Sequence, residues 1–162
     1  MDFPPPTAEQ VFALRISAGI DELAPDSDLV AAIVAGIGDF AAGEWAPLNR
    51  IGDVEGASLA NGKVTLPGGF AEAWNGYVEA GWNSLSGPPE FGGQGLPFTL
   101  ATVVLECLGS ANFAFALMPM LTVGAIEALH RHGNPEQQRL YLPKLISGEW
   151  SGTMNLTEPH AG

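Results

Sequence analysis

Gly133-Asn134-Pro135-Glu136-Gln137-Gln138-Arg139-Leu140-Tyr141-Leu142-Pro143-Lys144-Leu145-Ile146-Ser147-Gly148-Glu149 is the stretch from which the fold is read, and it leads to Met154-Asn155-Leu156-Thr157-Glu158-Pro159-His160-Ala161-Gly162. Asn134 is placed to cap a helix, with Pro135 at the first helical position, where a missing amide hydrogen is harmless because first-turn amides have no intrahelical acceptor. That helix runs to Tyr141, Pro143 starts another short turn, and Gly148 ends it. Trp150 to Leu156 then alternates like an entering strand, and Thr157-Glu158-Pro159 reads as a turn. Complete domains end on frayed, exposed segments. This run reads instead as the entrance to something larger, so the expectation is the helical front part of a bigger protein, with its function at that edge.

Working back toward the N-terminus, Gly124 to Leu129 continues a helix through His130-Arg131-His132, with Gly133 expected as a left-handed stop. His130 and His132 stand two positions apart and so face different ways on a helix, which suits polar caps at its C-terminus better than a metal site. Glu106 and Glu127 bound roughly 20 uncharged residues, the length of a membrane span. The run contains Gly109, Ser110, Asn112, Pro119, Thr122 and Gly124, however, and is flanked by acids instead of basic or aromatic anchors. Two buried helices joined near Pro119 are expected. Met118 and Met120 flank that proline, and such flexible apolar side chains either fill a core or line a pocket for an aliphatic tail.

The loop Leu85-Ser86-Gly87-Pro88-Pro89-Glu90-Phe91-Gly92-Gly93-Gln94-Gly95-Leu96 is dense in proline and glycine, and reads either as a connector or as one wall of a binding cleft. It is no dinucleotide fingerprint, because neither a preceding buried strand nor a glycine opening a helix in a βαβ unit is present. Further upstream, Asp26 or Ser27 caps an amphipathic helix expected to run to about Trp45 and to be closed by Pro47. Thr7 and Gln10 have capping-box spacing for a first helix that Gly19 ends. Residues 48–69 look irregular, with Asn61-Gly62 as a two-residue hairpin turn, and Phe70, Trp74, Tyr77 and Val78 return to helical spacing.

The 162 residues are 46% hydrophobic and 15% charged, enough for one domain with a buried core. Eighteen acidic against six basic side chains give a net charge of -12, and before Arg131 the basic residues are only Arg15, Arg50 and Lys63. No basic cluster is available for a phosphate backbone or an anionic membrane, which disfavours nucleic acid. Cys107 is alone, so no internal disulfide forms. The N-terminus lacks the charged and apolar regions of a secretory signal, and a cytoplasmic location is expected.

The Gly133–Glu149 run and the Met154–Gly162 run, with Pro89-Glu90-Phe91-Gly92-Gly93-Gln94-Gly95-Leu96 before them, resemble the acyl-CoA dehydrogenase family in order and content. Phe91 stands where the family's loop carries tyrosine. Ala46-Pro47-Leu48-Asn49-Arg50 with Gly52-Asp53, Tyr77-Val78-Glu79-Ala80-Gly81-Trp82 and Gly109-Ser110-Ala111-Asn112 are similar to the long branch of that family, which includes 3-(methylthio)propionyl-CoA dehydrogenase. The resemblance implies an all-α N-terminal helical bundle, ending at the first strand of a β middle domain, in an FAD flavoprotein of fatty-acid metabolism. Residues 1–68 would be a helical extension with the irregular or hairpin segment, 69–150 the family's helical domain, and 151–162 the start of the middle domain.

It further implies that Met154, Leu156 and Thr157 touch the flavin, that the hydroxyl of Thr157 is directed at its N5 side, and that Glu158 belongs to the turn. The catalytic glutamate is expected in a C-terminal bundle, so no catalytic residue is assigned here. Met118 and Met120 are the candidate walls for substrate. The partners implied are acyl-CoA and an electron-transferring flavoprotein or similar acceptor, in a homo-oligomer, with FAD bound by the intact protein and not by these residues alone. A rival expectation is a stand-alone helical module whose apolar edge near Met154 to Pro159 docks a partner.

Overall fold

The computed structural model describes residues 3–24, 26–155 and 157–160. After an extended Pro4–Pro6 lead-in come α1 (Thr7–Ile16), α2 (Ile20–Leu23) and α3 (Ser27–Phe40). A π-helical turn at Ala41–Trp45 joins α3 to α4 (Ala46–Glu55), and the hairpin β1 (Ser58–Ala60) and β2 (Lys63–Thr65) leads to α5 (Phe70–Glu79). Two 3-10 turns follow, and then α6 (Phe98–Ala111), α7 (Phe113–His132) and α8 (Pro135–Ile146) complete the all-α architecture. Helix α6 packs on α3 and α7, and α8 packs on α7.

Several local signals act as read. The Asp26 carboxylate accepts from the amides of Asp28 and Leu29. Asn134 and Gln137 form a reciprocal capping box, in which Asn134 Oδ1 accepts from the Gln137 amide at 2.9 Å and Gln137 Oε1 accepts from the Asn134 amide at 2.9 Å. The strands pair antiparallel, with Ala60 opposite Lys63 around Asn61 and Gly62, whose φ angles are 52° and 75°.

The prolines depart from expectation. Pro47 does not close a helix: the chain widens into a π turn, in which the Ala46 amide donates to the Ala41 carbonyl, and continues as α4 with the proline in its first turn. Residues 48–55 are therefore helical. Pro119 lies inside α7 and is fully buried, so packing carries the helix through it. The helix-to-helix junction is instead at Asn112, which is extended, caps the amide of Phe115 at 3.2 Å and donates to the Trp45 carbonyl at 3.4 Å. Pro143 likewise sits within α8.

Three caps also differ. Thr7 lies inside α1, behind Pro6, and its side chain makes no cap, because Pro5 and the Thr7 methyl are seated against Gly38. Helix α1 ends at Ile16, and Gly19, at φ +61°, starts α2. Gly133 is extended, not left-handed; its lack of a side chain matters because a Cβ would come within 2.5 Å of the Leu129 carbonyl oxygen. Residues 151–155 form no sheet ladder among the described residues.

The main core is built on Trp45, Tyr77, Ile37, Leu100, Val104 and Leu108, all essentially inaccessible. Trp45 stacks on Phe115 with ring centroids 4.0 Å apart, and Tyr77 and Phe70 extend this aromatic group. A second cluster of Ile126, Leu142, Leu145 and Ile146 joins α8 to α7. By length and composition, Ser27–Glu55 and Phe113–His132 are apolar enough to cross a membrane; each is partly buried by its helical neighbours.

Candidate functional site

Helix α7 is the axis of the candidate site, because its circumference serves distinct surfaces. At 3.6 residues per turn, positions 113, 117, 120 and 124 fall within about 60° of one another. Phe113, Leu117 and Met120 on that stripe are exposed, and no atom lies near the position a Cβ would take on Gly124. A solvent-facing apolar stripe on a helix otherwise committed to packing is suited to an apolar ligand or partner surface.

Val123, Ile126, Glu127 and His130 lie on a neighbouring face and border a cleft of about 800 Å³, whose other wall is Ser86–Glu90 with Gly95. The glycine-rich loop is thus a cleft wall as well as a connector. It is held by its own backbone: the amides of Gln94, Gly95 and Leu96 donate to the carbonyls of Ser84, Gly87 and Leu85 at 2.9, 3.0 and 2.9 Å. The Gln94 side chain adds bonds to Gly81 O at 2.8 Å and Ser84 Oγ at 3.0 Å. At the cleft, His130 Nε2 lies 3.4 Å from Glu90 Oε1, and Arg131 pairs with Glu127. Asn83 Nδ2 donates to the Ile146 carbonyl while its buried Oδ1 has no partner among the described residues.

A second cleft, of about 970 Å³, opens between α4, the strand-to-α5 connection and the start of α7. Phe70, Phe115 and Met118 give it an apolar lining, and Arg50 and Asp53, paired at 2.8 Å, stand in its wall. Nothing in the sequence pattern announced this cleft, since its walls come from segments far apart in the chain. Met118 and Met120 are consequently not brought together: two residues apart, they point about 160° away from one another around the helix. Met118 is half-buried and faces the second cleft, whereas Met120 is 36% exposed on the stripe.

The segment after α8 crosses α7. Trp150 N donates to Lys144 O at 3.0 Å, and Gly152 N donates to Thr122 Oγ1 at 2.9 Å. Beyond this crossing Met154 is 56% exposed, and Thr157 is exposed. Leu156 lies outside the described residues. Among the described residues no hydrogen bond engages the Thr157 hydroxyl or the amides of Thr153, Met154 and Asn155. These are donors suited to the carbonyl and ring-nitrogen acceptors along the polar edge of a flavin, and the exposed Met154 side chain suits its apolar face.

Among the described residues two titratable groups are shifted, both chiefly by burial. Desolvation raises the Tyr77 phenol far above its ordinary range. It also raises the Cys107 thiol, assisted by the nearby Glu106 charge and opposed by a hydrogen bond with Gln10. Both belong to the core. Among the described residues no three His, Cys, Asp or Glu side chains gather as a metal site.

The family model described as acyl-CoA dehydrogenase, N-terminal domain, matches residues 30–149. The 3-methylmercaptopropionyl-CoA dehydrogenase of Ruegeria pomeroyi is 52% identical over 125 residues, covering 77% of this chain and 21% of its own length. A butyryl-CoA dehydrogenase of Syntrophomonas wolfei is 32% identical over 123 residues, covering 72% of this chain and 19% of its own. The chain spans about a fifth of the length of these curated relatives. Among solved structures, an acyl-CoA dehydrogenase complexed with FAD from Bacillus anthracis superposes with a TM-score of 0.66 at 26% identity, covering 88% of this chain and 23% of that one. A structure titled electron transferring flavoprotein of Acidaminococcus fermentans shares the fold, with a TM-score of 0.66 at 23% identity over 82% of this chain and 32% of that one.

Proposed function

The chain belongs to the acyl-CoA dehydrogenase family, matching its N-terminal domain, and from that premise we propose that it forms the helical wall of an FAD-dependent site for α,β-dehydrogenation of an acyl-CoA thioester to the trans-2-enoyl-CoA. The observation that carries this reading is the pinning of residues 150–152 across α7, which leaves Met154 and Thr157 exposed beside a helix with an unpartnered apolar stripe.

In this proposal Met154, Leu156 and Thr157 hold the flavin, the Thr157 hydroxyl donating toward N5. FAD supplies the acceptor for the β-hydrogen as hydride, and a carboxylate outside residues 1–162 takes the α-proton. The stripe around Met120 walls the acyl chain and excludes water, and Met118 offers the same flexible apolar surface to the second cleft. Residues 1–68 act as the helical extension, 69–150 as the family's helical N-terminal domain, and 151–162 as the entry to a middle domain. The intact protein assembles as a homo-oligomer and passes electrons to an electron-transferring flavoprotein or a similar acceptor. Residues 1–162 alone neither retain FAD nor catalyse.

The test is anaerobic addition of acyl-CoA thioesters to the natural FAD-loaded protein that contains this chain. Bleaching of the flavin with stoichiometric enoyl-CoA is expected. An unbleached flavin with every straight and branched thioester tried overturns the reading.

A further inference from the structure

We infer that Thr122 is a positioning residue, clasping the flavin-contacting segment onto the helix that walls the acyl site; the inference rests on the proposed function. Thr122 is 5% exposed and makes two hydrogen bonds: its hydroxyl donates to the Met118 carbonyl at 2.7 Å and accepts from the Gly152 amide at 2.9 Å. A hydroxyl has one proton and two acceptor lone pairs. With the proton committed to Met118, an acceptor lone pair is left for Gly152. Burial leaves no ready water to replace it.

The partner is equally specified. A Cβ on Gly152 would stand 2.7 Å from Ala125 Cβ and 3.1 Å from Thr122 Cα, so only glycine lets the backbone approach α7 this closely. Met154 follows Gly152 by about 7 Å of extended chain and Thr157 by about 17 Å. The clasp therefore limits where these groups can sit relative to α7. The helix and tail are tied by one buried hydroxyl, which threonine and serine can supply and valine cannot.

The test uses the natural FAD-loaded protein and three variants, Thr122→Val, Thr122→Ser and Gly152→Ala. Hydrogen exchange of the peptide spanning residues 150–155 reports the clasp, and FAD dissociation, followed by recovery of flavin fluorescence, reports its purpose. In Thr122→Val both the exchange rate and the FAD dissociation constant rise about five- to tenfold, as for a lost hydrogen bond to a buried group. Thr122→Ser stays within about twofold of the parent, because it keeps the hydroxyl. Gly152→Ala follows the valine variant and supplies the result should Thr122→Val not fold. Unchanged exchange in both Thr122→Val and Gly152→Ala overturns the clasp. Faster exchange with unaltered FAD affinity overturns the positioning role while leaving the proposed function standing, since loss of a purely structural bond would leave FAD affinity unchanged. A parent protein that binds no FAD overturns the proposed function and this inference together.

Discussion

Replacing Gly93 by alanine tests how the cleft wall is built. A Cβ at this position would overlap the Gly87 carbonyl and stand 2.5 Å from Gly87 Cα, whereas carbon atoms in contact sit about 3.5–4.0 Å apart. The obstacle is backbone, so no rotamer change relieves it. The loop must open by about an ångström or more, and the bonds that cross this point, from Gly93 N to Pro88 O at 3.1 Å and from Gly95 N to Gly87 O at 3.0 Å, are the first to go. At about 1 kcal/mol for each hydrogen bond plus strain, the expected loss is about 2–4 kcal/mol. For a chain of this size that is a fall in melting temperature of roughly 5–15 °C. The neighbouring Gly92 is the control: it has φ +93° but no atom within 4 Å of its would-be Cβ, so Gly92→Ala costs only the left-handed backbone penalty of about 1–2 kcal/mol. Urea unfolding of both variants, with an unchanged slope, gives the comparison. Gly93→Ala no more destabilising than Gly92→Ala would refute the close approach of the loop strands.

Asn112→Ala removes both the cap of α7 and the donor to the buried Trp45 carbonyl, for an expected cost of about 2–3 kcal/mol. The exposed cap at Asp26 should cost only about 1 kcal/mol when replaced by alanine, and equal losses in thermal melts would contradict the asymmetry. Tyr77 ionises at its ordinary value of 10.0 only in the unfolded chain, since burial raises it in the fold. Unfolding therefore releases a proton above pH 10.0, and Tyr77 makes stability fall with rising pH by up to about 1.4 kcal/mol per pH unit. Stability measured from pH 8 to 11 should fall less steeply in Tyr77→Phe, and identical slopes would count against the buried phenol.

Where a local signal had no tertiary competitor, it could be read directly. Asn134, Asp26 and Asn61-Gly62 each satisfy their neighbours' backbone groups within a few residues, and each acts as its sequence indicates. The prolines were misleading because burial and hydrogen-bond register decide their effect, and neither is local. A π turn moves Pro47 into a first turn, and packing carries α7 through Pro119. At the site, Met154 and Thr157 are assigned by motif resemblance alone, and the structure adds that both are exposed. The divergence of Met118 from Met120 follows from helical geometry only once α7 is known to be unbroken. Neither the second cleft nor the bond from Gly152 to Thr122 leaves a periodic trace, since each joins residues distant in the chain.

On the proposed function, α7 and the segment pinned to it face an acyl chain and a flavin. The most direct measurement is photolabelling of the natural FAD-loaded protein by an acyl-CoA carrying a photoreactive group at the end of its acyl chain, with the labelled residues mapped by mass spectrometry. Label is expected on α7 along Leu117, Met120 and Gly124, blocked by excess unmodified acyl-CoA. Label confined to segments outside residues 1–162, or label on α7 that unmodified acyl-CoA does not displace, would contradict it.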